Sequence, residues 1–347
     1  MAIETTQRLI LVTGASGFLG SYVVYGALEA GYRVRGTARS GKVGLVKQGF
    51  VKYQDRFEVT AVDDVATGDL TEALKGVEVV IHVASPLAGV ADAKTTLDSA
   101  INGTLNVLRQ AEKAGIKKFV VTSSVAALAS PLDPRIVSDH EFTDKDWNPL
   151  NEEEALKPGT PDFIIYSASK AVSEKAVWDF VKIHPHVDAT TILPPFMFGP
   201  FAPGFVVQDA SSRKRNLSTN GFVYQLINGS VPQNVGIGSV DIRDVARLHV
   251  AALKSEVNTD GQEQKRITVP RQLIDWKVVV EYIAEKRPEL KDRLPPTNDV
   301  PNLSKTFATV DTQRARGLIN TFIPWQDTIL AAVDDLVRLE KEGYLAT

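Results

Sequence analysis

The stretch "RLILVTGASGFLG", residues 8–20, constrains this chain more than any other. A near-continuous apolar run ends directly in a glycine-rich turn, and helical periodicity begins inside that turn. Gly14, Gly17 and Gly20 recur at every third position. A turn of this kind lets backbone approach a pyrophosphate closely, and it aims the unpaired N–H groups of a helix start at the anion. Glycines serving a tight turn alone are the alternative. The strand-to-helix junction favours the dinucleotide reading, which makes Gly14, Gly17, Phe18, Leu19 and Gly20 cofactor-binding candidates.

The rest of the first half repeats the same grammar. Segments 8–13, 32–38, 57–62, 77–84, 117–124 and 188–193 read as strands, and 17–30, 92–114 and 164–184 as helices. The strands are apolar almost throughout, as strands covered on both faces are. Strand and helix in alternation imply a parallel sheet with right-handed crossovers. The fold class is therefore α/β: a doubly wound parallel sheet (Rossmann) with a smaller, discontinuous C-terminal substrate lobe. Beyond residue 194 the alternation loosens around Pro194, Pro195, Pro200 and Pro203, with helical patterns at 222–228, 243–254, 275–287 and 325–341 and a strand candidate at 266–269. We expect residues 1–193 to form the nucleotide-binding domain, its sheet completed by 237–254 and 265–270. The lobe then comprises 194–236 and 271–347, and the Pro-, Asp- and Glu-rich span 130–162 reads as a long surface excursion.

Composition excludes more than it selects. There is no cysteine among 347 residues, which removes disulfides, thiolate metal sites and cysteine nucleophiles together. A net charge of −3 gives no global reason to expect nucleic acid or an anionic membrane as partner. The first residues lack a basic segment followed by a long apolar one, so a cytoplasmic location is the default expectation. His184 and His186 in "IHPHVD" are too few for a metal site, and "RKR" at 213–215 reads as a solvated face.

The second strand indicates which dinucleotide. A site for NAD carries an acidic residue about 20 positions after the glycines, where it accepts from the ribose 2′-hydroxyl. Here that region reads "RVRGTARSGK": it has no carboxylate, and it offers Arg33, Arg35, Arg39 and Lys42. Such a cluster suits a 2′-phosphate, so NADPH is the expected cofactor. Alternation puts Arg35 and Arg39 on one face; Arg39, nearest the strand's end, is the expected phosphate partner, with Lys42 assisting.

Two tyrosine–lysine pairs stand four residues apart, in "YSASK" (166–170) and "YIAEK" (282–286), and on a helix such pairs share a face. Chance supplies about half of one such pair in a chain of this composition, so spacing alone decides nothing. Position does. Tyr166 opens the helix that follows the strand at 117–124, near the carboxyl ends of the strands, where ligands of open α/β sheets bind. Tyr282 lies far beyond the nucleotide-binding half, in an amphipathic surface pattern. Reducing a carbonyl leaves negative charge on oxygen, and a donor must supply a proton. An ammonium about 4 Å from the phenol stabilises its anion by up to ~4 kcal/mol at an effective dielectric near 20. A hydroxyl donor to the substrate oxygen completes the site. "VTSS" supplies Ser123 and Ser124, of which alternation allows one, with Thr122 and Ser123 as structural alternatives.

With these elements together, the chain resembles the extended short-chain dehydrogenase/reductases over nearly its whole length. Within them it looks closest to the branch of dihydroflavonol reductases and fungal aldehyde, ketone and methylglyoxal reductases. "LVTGASGFLGSYVV", "GYRVRGTARS", "GTLNVLRQA", "KKFVVTSS", "YSASK" and "VDIRDVARLHVAAL" carry the likeness. The resemblance implies that Ser124 polarises the carbonyl, Tyr166 donates the proton and Lys170 assists it while holding the nicotinamide ribose. It places Asp63 at the adenine amino group, Asp64 in backbone contact and Val83 and Ala84 along the cofactor. It folds Pro194, Phe196 and Met197 over the nicotinamide, and it leaves Asn102 as an uncertain counterpart of the asparagine in the classical tetrad. Dihydroflavonol reductases place an asparagine where this chain has Ala129, so aldehydes, ketones or keto esters are implied as substrates in preference to flavonoids. Phe196, Phe198, Phe201 and Phe205 are available as pocket walls or as packing between the lobes. A sugar-nucleotide epimerase or dehydratase with tightly held NAD is the main rival, and a non-catalytic NADP sensor the second. The partner expected is a small carbonyl compound, and the chain a monomer or a homodimer paired through helices 92–114 and 164–184.

Overall fold

The computed structural model describes residues 8–85, 91–206, 217–232, 237–255, 264–301, 303 and 306–345. The first half runs β1 (Leu9–Thr13), α1 (Phe18–Glu29), β2 (Arg33–Ala38), α2 (Val43–Gly49), β3 (Phe57–Ala61), α3 (Thr71–Leu74), β4 (Val79–His82), α4 (Ala93–Lys113) and β5 (Lys118–Thr122). It continues with β6 (Glu141–Phe142), α5 (Glu152–Ala155), α6 (Asp162–Ile183), β7 (Asp188–Leu193), β8 (Phe196–Phe198), α7 (Asn220–Ile227), β9 (Ile237–Asp241) and α8 (Ile242–Ala252). The last part holds β10 (Lys265–Thr268), β11 (Gln272–Ile274), α9 (Trp276–Lys286), β12 (Thr309–Val310), α10 (Gln313–Leu318) and α11 (Trp325–Lys341).

Seven strands form one parallel sheet in the order β10-β7-β5-β4-β1-β2-β3. Alternation along β1 shows why its sequence is apolar throughout. Ile10 and Val12 pack into the core under α1 and α8, while Leu9 and Leu11 pack into the core under α4 and α6. Each such fully buried side chain contributes about 1.5–3 kcal/mol, which no exposed face could match. The chain order reverses between β1 and β4, so a crevice opens above the carboxyl ends of these strands.

The edge strand β10 is fixed at its amino end by a carboxylate. The buried Asp188 of β7 receives Lys118 of β5 at 3.2 Å and also pairs with Lys265 of β10. Residues 265–268 thus form the sheet's edge strand, whereas 237–241, expected to help complete the same sheet, do not join it. Residues 237–241 form β9, which joins β8 and β11 in a separate three-stranded sheet of order β11-β9-β8. Only the helix that follows them, α8, returns to cover the main sheet against α1.

The span 130–162 is anchored rather than loose. Phe142, Asn148, Leu150 and Ala155 are buried, and β6 pairs with β12 from near the C-terminal end. Its acidic and proline-rich composition concealed these scattered anchors. The "RKR" at 213–215 lies outside the described residues. Among the described residues, no helix is long and apolar enough to cross a membrane.

Candidate active site

The site is built from the glycine turn outward. Gly14 adopts φ +71°, a left-handed conformation that favours glycine, and a Cβ there would stand 3.1 Å from the backbone of Ala84. A Cβ on Gly20 would stand 2.0 Å from the Gly14 carbonyl oxygen, so this position admits no side chain while helix and turn pack as they do. Helix α1 starts at Gly17 with no side-chain cap and no acidic residue in its first turn. The side chains of Phe18 and Leu19 are buried, which leaves the first-turn amides as their contribution to an anion site. These features fit a pyrophosphate.

The basic end of β2 divides into a structural and an available part. Arg35 stands directly opposite Glu58 in the ladder and is bound to it at 2.6 Å, and its guanidinium also donates to the carbonyls of Glu72, Ala73 and Lys75. It locks β2 to β3 and α3. Arg39 is exposed at the strand's end, and Lys42 lines a small cavity with Ser16, Leu45, Gly204 and Phe205. Burial, followed by the nearby charge of Arg39, pulls the Lys42 ammonium below its ordinary range. A bound dianionic phosphate would relieve that repulsion. The intervening turn is held by Asp63, whose two carboxylate oxygens accept from the Ser40 amide and hydroxyl, both at 2.7 Å. These bonds keep the Asp63 carboxyl below its usual value. Asp63 thus shapes the turn between Arg39 and Lys42. Asp64 turns its carboxylate to its own loop, accepting from the Ala66 amide and the Thr67 hydroxyl.

The end of β5 sorts its hydroxyls as alternation requires. Thr122 points to one face and donates to His249 Nε2 on α8 at 2.7 Å; the imidazole Nδ1–H of His249 in turn donates to the Val245 carbonyl. Ser123 points to the other face and donates to Glu174 of α6 at 2.6 Å. Both alternatives are thus bound to side chains of the covering helices, not to local backbone. Ser124 closes the strand with extended backbone. Its Oγ accepts from the Ala126 amide at 3.1 Å, and no described residue takes its hydroxyl hydrogen. Asn148 ties this turn to the helix bearing Tyr166, donating to the carbonyls of Ala126 at 2.6 Å and Ser167 at 3.5 Å. That asparagine was hidden in sequence by the excursion around it.

Tyr166 is half-buried near the start of α6, and the Lys170 ammonium lies 5.5 Å from its ring centroid. Lys170 is buried and donates to Ser85 Oγ at 2.6 Å. It faces a polar cavity between β4, β5, α4 and α6 that is also lined by His82, Ser99, Thr104 and Glu174. Asn102 is exposed on α4, one residue from this wall, and the wall positions beside it are Gly103 and Thr104. The rival pair has almost the same internal geometry, with Lys286 at 5.7 Å from the Tyr282 ring, yet Lys286 is engaged with Glu285 on an outer helix and Tyr282 packs on Trp325. Location, not spacing, separates the two.

Of the four phenylalanines available as walls, Phe196 lies nearest Tyr166, through Phe163, and Phe205 lines the Lys42 cavity. Phe198 is fully buried against Trp276, and Phe201 packs between Phe18 and Phe205. Two rings missed in the sequence join Phe196. Phe163 stacks on Tyr166 at 6.2 Å and on Phe196 at 6.4 Å, and Phe222 meets Phe196 edge-on at 6.0 Å. The spacing Phe163–Tyr166, one turn apart on a helix, was the available signal. Pro194 is buried with its carbonyl accepting from the Val125 amide, and the Met197 carbonyl accepts from the Thr219 hydroxyl.

The model of the NAD dependent epimerase/dehydratase family matches residues 10–267. The chain belongs to that family. It is 32% identical over 292 residues to "Aldehyde reductase 2" of Sporidiobolus salmonicolor, covering 80% of this chain and 81% of that protein. It is 30% identical over 324 residues to "Ketoreductase azaE" of Aspergillus niger, covering 90% and 92%. Among solved structures, Gre2 of Candida albicans in complex with NADPH superposes with a TM-score of 0.79 at 29% identity, over 95% of this chain and 99% of that one.

Two buried imidazoles beside this site give it an acid limit. Burial, helped by the Lys170 charge at His82, pulls both His82 and His249 from 6.5 down to about 4. The unfolded chain therefore takes up protons near pH 6.5 that the folded chain refuses until about pH 4. Stability is full above pH 6.5 and falls as pH drops through this window. At 1.36 kcal/mol per unit the loss approaches ~3 kcal/mol per histidine. Asp244, whose carboxyl burial raises, offsets part of it. The urea midpoint is expected to fall steeply between pH 7 and 5 and to stay flat from pH 7 to 8; a flat profile down to pH 5 would contradict the burial argument.

Proposed function

We propose that this chain is an NADPH-dependent carbonyl reductase acting on aldehydes or ketones, with Ser124, Tyr166 and Lys170 as catalytic residues. The observation that carries the reading is that Ser124, just past β5, and Tyr166 and Lys170, in the first half of α6, lie toward the same carboxyl end of the parallel strands as the uncapped start of α1 and the cationic turn after β2. Ser124 keeps a hydroxyl hydrogen for a carbonyl oxygen, and the Tyr166 phenol would supply the proton as that oxygen gains charge. Lys170 supports the phenol electrostatically from the same helix face. When bound, NADPH supplies the hydride to the carbonyl carbon. Gly14, Gly17 and the amides of Phe18, Leu19 and Gly20 would hold its pyrophosphate, Arg39 and Lys42 its 2′-phosphate, and Val83, Ala84, Pro194, Phe196 and Met197 its nicotinamide half. Asp63 and Asp64 frame the adenosine end.

The substrate is a small carbonyl compound with an apolar substituent, since Phe163, Phe196 and Phe222 wall the approach to Tyr166. Relatives named as aldehyde reductase and ketoreductase support this reading over the sugar-nucleotide epimerase, as does the lack of any carboxylate at the end of β2. Replacing Arg39 by Asp tests the cofactor assignment. The KM for NADPH is expected to rise about 30-fold or more, with little change for NADH, because a charge-assisted phosphate bond becomes a repulsion. Equal effects on both cofactors, or purification of the parent with stoichiometric bound NAD, would overturn it.

A further inference from the structure

The hydroxyl of Thr13, at the last residue of β1, makes three contacts. It accepts from the Val83 amide at 3.0 Å and from the Ala84 amide at 3.2 Å, and it lies 2.8 Å from His82 Nδ1. A threonine oxygen has two lone pairs and one hydrogen. Two amides occupy the lone pairs, so the hydrogen goes to the imidazole. His82 Nδ1 must then be an acceptor, and the ring is neutral with its proton on Nε2. The ring is 4% exposed at the end of β4, in the same cavity as Lys170. Burial and the Lys170 charge hold it neutral at physiological pH.

We propose that His82 is a positioning residue for the dinucleotide: by taking the Thr13 hydrogen it frees both Thr13 lone pairs to fix the Val83–Ala84 backbone against the glycine turn. The placement of Ala84 is tight, since Gly14 approaches it so closely that even a Cβ would meet its backbone at 3.1 Å. The 83–84 segment and the glycine turn form two walls of one crevice, and a single hydroxyl joins them. Without the imidazole acceptor the hydroxyl hydrogen must turn toward one of the amides, and that amide loses its partner. The crevice then loosens on the side where the nicotinamide half would lie. This inference rests on the NADPH reading above.

The test compares the parent, three single variants and one double variant by direct NADPH binding, followed through nucleotide fluorescence, and by steady-state kinetics. In His82→Leu the acceptor is gone, in His82→Asn the side-chain oxygen can replace Nδ1, and in Thr13→Val the hydroxyl is gone. His82→Leu is expected to raise the Kd and KM for NADPH about tenfold while kcat at saturating NADPH falls less than threefold, and His82→Asn to recover most of the affinity. Joining His82→Leu to Thr13→Val should add nothing to the Kd change of Thr13→Val alone. A merely structural lesion would lower the active fraction and the melting temperature without moving Kd, and that result would overturn the proposal. So would a His82→Leu protein that binds NADPH as the parent does, or additive effects in the double variant. If the parent itself fails to bind NADPH, the cofactor reading falls, which is a different outcome.

Discussion

A Tyr166→Phe protein is expected to lose about a thousandfold in turnover of an aldehyde substrate while its Kd for NADPH stays within about threefold of the parent's. General acid catalysis by a placed side chain is worth about 10²- to 10⁴-fold, and the substitution removes nothing else. The ring that remains can still stack on Phe163, at the 6.2 Å separation seen here, and Lys170 keeps its hydrogen bond to Ser85. A loss confined to kcat would therefore be the missing proton and not a collapsed pocket. Tyr282→Phe is the matched control, since that tyrosine has the same lysine spacing and a similar ring-to-ammonium distance of 5.7 Å but sits on α9 against Trp325. It should turn over as the parent does. Stopped-flow NADPH oxidation with both variants checks the pair of expectations. Turnover by Tyr166→Phe within tenfold of the parent would remove the proposed proton donor.

Which parts of this molecule were legible from sequence follows from what sequence patterns encode. The parallel sheet was readable because its strands are covered on both faces, so apolar runs and the helices between them mark each crossover. The glycine turn was readable because its spacing is a local steric demand. Residues that act through partners distant in sequence were not. Arg35 and Arg39 look alike along β2, and only the neighbouring strand, which puts Glu58 opposite Arg35, shows that one is committed and the other available. β8 and β11 have three residues each, too short for periodicity to register, so the sheet they make with β9 was invisible. The burial of Asn148 and Arg266 was not legible either, because burial of a polar side chain depends on partners the sequence does not order.

Arg266 and Glu174 set the largest expected effect on stability. Arg266 is fully buried on β10 and Glu174 is 2% exposed on α6, one turn beyond Lys170. The guanidinium donates to Glu174 Oε1 at 2.8 Å and to the carbonyls of Asp144 and Asp146 at 2.7 and 2.6 Å, and it lies 3.7 Å from the Trp147 ring centroid. The carboxylate also accepts from Ser123 and Thr191, at 2.6 and 2.7 Å. One ion pair thus joins the edge strand β10, helix α6, the anchored excursion and the residue beside Ser124. Taking either charge away leaves the other buried without its counter-ion, which costs about 3–5 kcal/mol. Arg266→Met and Glu174→Leu should each lower the urea-unfolding free energy by that order. The double variant should be less destabilised than the sum of the singles, because its remaining groups are both apolar. Catalysis should follow a different rule. Glu174→Leu also strips Ser123 of its acceptor next to Ser124, so kcat is expected to fall in that variant and in the double variant, even where stability returns. Losses below about 1 kcal/mol in both single variants would show that the pair is replaceable packing, and unchanged kcat in Glu174→Leu would show that Ser124 is held by the Ala126 turn alone.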